Sequence, residues 1–211
     1  MEIADNIIRE KLKHVYFLWG SGKTTIANGL ADRYGGFVYR TDYERGRYIQ
    51  NAAPDAQPAL CREVPDYWAL DPEDARQWEK DIVREFTPMA LMDLIVLSGR
   101  YDCVLCEGDL DIAQVAPVAT HAVMLYNCGE TYDFFERPEQ KRMLEDILNR
   151  PDLTEEEKAQ RVKNAYEVAG GVQAGIPKEV GWYGLAGIAW DRQTPVEVTV
   201  EKVAEYFGLR G

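Results

Sequence analysis

The sequence predicts an α/β protein, a five-stranded, mostly parallel sheet held between two layers of helices. Three observations carry that expectation. Five short apolar runs, rich in β-branched and aromatic residues, alternate with longer stretches whose apolar positions recur at helical spacing. The runs are nearly continuous in hydrophobicity, as strands covered on both faces are. The most conspicuous acids, Asp42, Glu107 and Asp191, fall just after such runs. In a parallel sheet that is the edge where ligands bind.

Taken in order, Ile3, Ile7, Ile8 and Leu12 have the spacing of a short leading helix. Val15-Tyr16-Phe17-Leu18-Trp19 reads as the first strand, and Ile26 to about Tyr34 as a helix stopped by Gly35-Gly36. Phe37 to Arg40 is the second strand, ending at Thr41-Asp42-Tyr43-Glu44-Arg45. From Asn51 to Pro72 no period is sustained and proline recurs, so this is a loop or a substrate-side insertion, with Tyr67 and Trp68 as plug or substrate wall.

Trp78, Ile82, Phe86, Ala90, Leu91 and Leu94 mark a long helix over about 72–97, which Pro88 should kink or divide. Tyr101 to Leu105 and His121 to Tyr126 are the third and fourth strands. Phe134 to Asn149 and Thr154 to Val168 are charged helices, with Thr154 and Glu157 spaced as a capping box. Gly184 to Trp190 is the last strand, and Pro195 opens the closing helix. The 211 residues fit one domain, 1–211, with a helical lid over about 134–171.

Composition excludes several classes. A net charge of −12 is the wrong sign for a broad nucleic-acid footprint, so no nucleic-acid partner is expected. No apolar run approaches the roughly 18 residues of a membrane span, and the start has no secretory pattern, so no membrane partner is expected and the cytoplasm is the expected compartment. Cys61, Cys103, Cys106 and Cys128 are scattered, and with only His14 and His121 beside them they read as reduced core thiols rather than a zinc site.

The chemistry centres on Gly20-Ser21-Gly22-Lys23-Thr24-Thr25, lying between a buried strand and a helix. Strand, glycine turn, helix is the setting in which successive amides and a helix N-terminus cradle phosphate. Lys23 would reach the β- and γ-phosphates, and the Thr24 hydroxyl would bind Mg²⁺. The full phosphate-loop pattern has an earlier glycine, and Phe17 stands at that position. Either Phe17 replaces it, or the loop is shorter and Gly20 takes over the turn.

Phosphoryl transfer also needs a carboxylate to orient or deprotonate the acceptor hydroxyl, oxygen ligands for Mg²⁺, and cations over the transferring group. Asp42 and Glu107 are the first candidates for the carboxylates, with Asp109 and Asp191 behind them; Gly108 after Glu107 permits close approach of a ligand. Of Arg137, Arg142, Arg150 and Arg161, Arg142 and Arg150 are favoured for the phosphates. Trp190 reads as core, and Trp182-Tyr183 could flank a base.

With these residues in place, the chain resembles P-loop small-molecule kinases of the nucleoside-monophosphate-kinase-like group, which includes shikimate, gluconate and chloramphenicol kinases. It looks closest to bacterial members that read much like Leu12-Lys13-His14-Val15-Tyr16 before the loop. The resemblance implies a three-layer P-loop NTPase fold, ATP and Mg²⁺ as cofactors, and a small-molecule acceptor. It assigns the acceptor-side acid to Asp42, the acid closing the third strand to Glu107, the lid to about 134–171, and the adenine-side stretch to Asp191-Arg192-Gln193-Thr194-Pro195.

Two departures are visible: the missing first glycine, and Ala169-Gly170-Gly171 where a regular arginine-bearing helix is expected. The expectation is therefore an ATP-dependent kinase, with a non-catalytic nucleotide-binding regulator as the alternative. A GTPase switch is disfavoured because no Asn-Lys-x-Asp occurs.

Overall fold

The computed structural model describes residues 2–64, 66–127, 138–191 and 193–210. Cys128, Phe134, Arg137 and Arg192 lie outside the described residues. The elements run α1 (Glu2–Lys11), β1 (Val15–Gly20), α2 (Lys23–Tyr34), β2 (Phe37–Arg40), α3 (Thr41–Gln50), α4 (Pro58–Cys61), a 3₁₀ turn (Tyr67–Ala69) and α5 (Pro72–Ser98). They continue with β3 (Val104–Glu107), α6 (Ile112–Val115), β4 (His121–Asn127), α7 (Pro138–Leu148), α8 (Glu155–Tyr183), β5 (Ala186–Trp190) and α9 (Val196–Phe207).

The five strands form one sheet in the order β2-β3-β1-β4-β5, and every pair is parallel. Alternate residues of each strand feed two separate cores, as the pleat dictates. Phe17, Cys106 and Met124 pack with Tyr48 of α3 and with Ile82, Phe86, Ala90 and Leu94 of α5. Their neighbours Leu18, Leu105 and Leu125 turn to the other face, against Ile26 and Leu30 of α2 and Val200, Val203 and Phe207 of α9. This is the three-layer α/β/α arrangement that the alternating elements predict, with the sheet wholly parallel rather than mostly so.

Several boundaries differ from the sequence reading. Helix α5 passes through Pro88 undivided. Proline leaves the carbonyl four residues back without its helical donor. That carbonyl belongs to Arg84, and it accepts instead from Gln114 Nε2 at 2.9 Å. Strand β3 starts at Val104, three residues later than expected, with the Cys103 carbonyl just before it accepting from the Phe37 amide at the start of β2. Helix α3 begins directly at Thr41, so the polar run after β2 is a helix N-terminus.

Residues 51–71 are not featureless, since they hold α4 and the 3₁₀ turn, where Tyr67 stands edge-on to Trp68. Helix α8 opens on the expected Thr154–Glu157 capping box, runs on through Gly170 and Gly171, and stops at left-handed Gly184. Cys61, Cys103 and Cys106 are free thiols, and only Cys106 is buried. Among the described residues, no helix is long and apolar enough to cross a membrane.

Candidate active site

The pairing register brings the carboxyl ends of β1, β2 and β3 level. Leu18 of β1 and Arg40 of β2 both pair with Glu107 at the end of β3. Gly20 closes β1 and Gly22 precedes α2, both with positive φ (86° and 84°). Phe17 is buried inside β1, stacked on Trp19, so it does not act as a loop residue. The second possibility is the correct one: the loop is short, and Gly20 makes the turn. Any side chain there would fail, because a Cβ on Gly20 would lie 1.9 Å from the Leu125 carbonyl oxygen.

Only Ser21 and Gly22 separate strand from helix. The Ser21 amide donates to the Leu125 carbonyl of β4 at 2.9 Å. The Ser21 carbonyl accepts from the Trp190 indole Nε1 of β5 at 2.8 Å. The amides of Gly22, Lys23, Thr24 and Thr25 make no backbone hydrogen bond among the described residues, and the first helical bond runs from the Ile26 amide to the Gly22 carbonyl. Helix α2 thus presents unpaired donors at the positive end of its dipole, and no acidic residue sits in its first turn.

The side chains around this turn form one network. Thr24 Oγ1 donates to Glu107 Oε2 at 3.0 Å. Glu107 Oε1 lies 3.3 Å from Arg40 Nε, an ion pair without an aligned hydrogen bond. Arg40 Nη2 donates to Asn28 Oδ1 at 2.5 Å. Lys23 Nζ stands 3.5 Å from Asp109 Oδ1. Burial disfavours the Lys23 ammonium, yet Asp109, Asp42 and Glu107 together raise its pKa above the ordinary lysine value, so it stays charged.

Asp42, exposed in the first turn of α3, has its pKa raised by partial desolvation and then by Asp109, against the pull of Lys23 and Arg45. Glu107 is likewise raised, first by burial, although Thr24, Lys23 and Arg40 favour its anion. Gly108 (φ 136°) brings the backbone against α3: a Cβ there would meet Thr41 Oγ1 at 1.8 Å. The Thr41 hydroxyl is buried, with no hydrogen-bond partner among the described residues.

The structure therefore gathers Gly20, Ser21, Gly22, Lys23, Thr24, Asp42, Glu107 and Asp109 at one edge of the sheet. Thr25 is exposed in the first turn of α2. The arginines are elsewhere. Arg150 donates to Asp66 Oδ2 at 2.9 Å and to Asp152 Oδ2 at 2.5 Å. Arg161 shares the same Asp66 oxygen, also at 2.9 Å. Arg142 is exposed on α7 with no partner among the described residues. Asp191 caps the turn into α9, accepting from the Thr194 amide at 2.6 Å and the Thr194 hydroxyl at 2.8 Å. Trp182 is largely exposed.

Two participants escaped the sequence reading. In sequence Arg40 reads only as the end of a strand, though charged residues closing two strands are a usable signal. Trp190 reads as core, yet its polar edge holds the loop; nothing local to Trp190 indicates that.

Mg²⁺ is compatible with these residues in a limited way. No group of three or more His, Cys, Asp or Glu forms a metal cage among the described residues. The adjacent Thr24 hydroxyl and Glu107 carboxylate are hard oxygen donors, and Mg²⁺ is commonly held by one or two such groups plus phosphate and water.

No family model matches the chain, and no curated protein matches it. Among solved structures it is similar to an unliganded sugar kinase from Janibacter sp. HTCC2649, at 15% identity and a TM-score of 0.37 over 93% of this chain and 94% of that one. A likeness at that level carries no argument about fold, site or substrate.

Proposed function

We propose that this protein binds ATP with Mg²⁺ at the turn 20–25 and transfers the γ-phosphoryl group to a hydroxyl or phosphate of a small molecule. The observation that carries the reading is the convergence of Lys23, Thr24, Glu107, Asp42 and Asp109 beside four unpaired amides at the carboxyl edge of a parallel sheet. The amides of 22–25 and Lys23 hold the phosphates. Thr24 and Glu107 hold Mg²⁺, which when bound neutralises charge on the β- and γ-phosphates. Asp42, whose raised pKa suits a proton acceptor, orients the acceptor hydroxyl and takes its proton. The acceptor sits between α3 and the segment 51–71.

The site is electrostatically self-consistent without ligand, since Lys23 rests on Asp109. Phosphate takes over Lys23 on binding, leaving Asp109 facing solvent beside Asp42. Among the described arginines between β4 and β5, Arg150 and Arg161 are held on Asp66, so serving the transferring group takes one of them leaving Asp66 or Arg142 swinging inward.

A second reading, a nucleotide-binding regulator without turnover, is favoured by one feature. The two-residue turn spends both backbone groups of Ser21 on neighbouring strands, leaving fewer donors than a longer loop offers.

Calorimetric titration of ATP and ADP with and without Mg²⁺, followed by an acceptor screen, separates the readings. Mg²⁺-dependent binding that Lys23→Ala removes, with turnover of some acceptor, supports the kinase. Binding with no turnover over a broad panel supports the regulator. No binding at millimolar nucleotide removes both.

A further inference from the structure

We infer that Trp190 is a positioning residue for the phosphate turn, a brace from β5 that does the work of the loop residues this chain lacks. The inference rests on the nucleotide reading above and concerns a residue outside its binding and catalytic groups.

A turn of two residues between strand and helix has little of its own structure to fix the direction of its amides. Here one residue, Ser21, is held at both ends of its backbone. Its N–H is fixed by the Leu125 carbonyl of β4 and its C=O by the Trp190 indole, at 2.9 and 2.8 Å. Both anchors lie on the same side, since β4 and β5 are paired neighbours with Asn127 opposite Trp190.

The peptide group makes the second anchor directional. Ser21 C=O and Gly22 N–H belong to one planar trans unit and point in opposite directions. Drawing the carbonyl toward Trp190 therefore turns the Gly22 amide away from β5. Gly22 N–H is the first of the four unpaired donors, so the indole sets the aim of the leading amide of the nest.

Packing supports the same contact. The ring lies against the Gly22 Cα, where a Cβ would come within 2.8 Å of Trp190 Cζ2. The brace is itself seated, because the residues after β5 are held by the Asp191–Thr194 hydrogen bonds. The indole therefore both donates to the turn and blocks its collapse toward β5.

The test compares wild type, Trp190→Phe and Lys23→Ala. Phenylalanine keeps an aromatic ring over Gly22 but removes the donor. Unliganded thermal stability, Mg·ADP affinity by calorimetry and ¹H–¹⁵N spectra of the indole groups are recorded for each. In wild type, the one indole signal that Trp190→Phe deletes is expected to shift on adding Mg·ADP. Trp190→Phe is expected to unfold within a few degrees of wild type while binding Mg·ADP about three- to tenfold more weakly, the range for one lost hydrogen bond. Equal ADP affinity in Trp190→Phe and wild type, or an indole signal indifferent to ADP, overturns the bracing role and leaves the nucleotide site standing. Wild-type protein that binds no Mg·ADP overturns the site and the role together.

Discussion

Replacing Glu107 separates its structural from its chemical contribution. The side chain is 4% exposed, accepts from Thr24 at 3.0 Å and lies 3.3 Å from Arg40 Nε. In Glu107→Ala the Arg40 guanidinium loses its one carboxylate partner among the described residues. Breaking a fully buried pair costs about 3–5 kcal/mol. Arg40 is 27% exposed and keeps Asn28, so a figure near the bottom of that range applies. Thr24, being exposed, replaces its acceptor with water. The expected loss is about 3 kcal/mol, a fall of roughly 6–12 °C in melting temperature for a chain of this size.

Glu107→Gln keeps the shape and an oxygen for Thr24. Because burial raises the pKa of Glu107, its anion is on balance disfavoured in the fold, and neutralising it offsets part of the lost ion pair. The glutamine variant should lose less than about 1 kcal/mol, at most roughly 2–4 °C. Both variants should lose the Mg²⁺ dependence of nucleotide binding. Differential scanning calorimetry and ADP titration with and without Mg²⁺ measure the two effects. Equal destabilisation by Gln and Ala would refute the electrostatic account, and unchanged Mg²⁺ dependence in Glu107→Gln would refute the metal role.

Four further outcomes are expected. Gly108→Ala, with φ 136° and a Cβ 1.8 Å from Thr41 Oγ1, should cost more than about 2 kcal/mol and lower the melting temperature, and a wild-type melting curve would contradict it. Asp42→Asn should abolish transfer yet raise the melting temperature slightly at neutral pH. A raised folded pKa is a penalty complete above that value and absent below the unfolded one, so the gain should shrink on acidification. Asp93 has the opposite sign: burial raises it, but hydrogen bonds from Arg47, Tyr48 and Tyr39 hold it below the ordinary range. Its contribution is therefore full above the unfolded value and lost as pH falls through the folded one, and Asp93→Asn should flatten the acid limb of a stability–pH curve. Asp66→Ala should take the shared carboxylate from Arg150 and Arg161, leaving Arg150 on Asp152 alone and loosening the 3₁₀ turn against α8, so proteolysis near the 3₁₀ turn should increase; unchanged cleavage would show that other contacts suffice.

Strands and helices were legible because period and turn chemistry act locally. The capping box at Thr154, the Gly35 stop and the strand Phe37–Arg40 all rest on neighbouring residues. The continuity of α5 was not legible, because the group that rescues it, Gln114, is remote in sequence from the Arg84 carbonyl. The candidate site was legible where a side chain announces its chemistry at the end of a strand, as Lys23, Asp42 and Glu107 do. It was illegible where geometry depends on pairing register, as with Arg40 beside Glu107, or on the polar edge of an apolar residue, as with Trp190. The pairing of Arg150 and Arg161 to Asp66 depends on a loop whose path no local pattern sets.

The central position of β1 in the sheet also governs when the turn comes into being. Its register partners are Val104 to Glu107 on one side and His121 to Leu125 on the other, so each contact closes a loop of roughly ninety residues or more. Pairings this distant form slowly and late. During synthesis from the N-terminus, the Gly20–Thr25 segment emerges long before the carbonyl of Leu125 and the indole of Trp190 that hold Ser21. The phosphate turn is among the first parts of the chain to be made and among the last to acquire its shape, so a nascent chain interrupted before β4 carries the whole motif and neither anchor of Ser21.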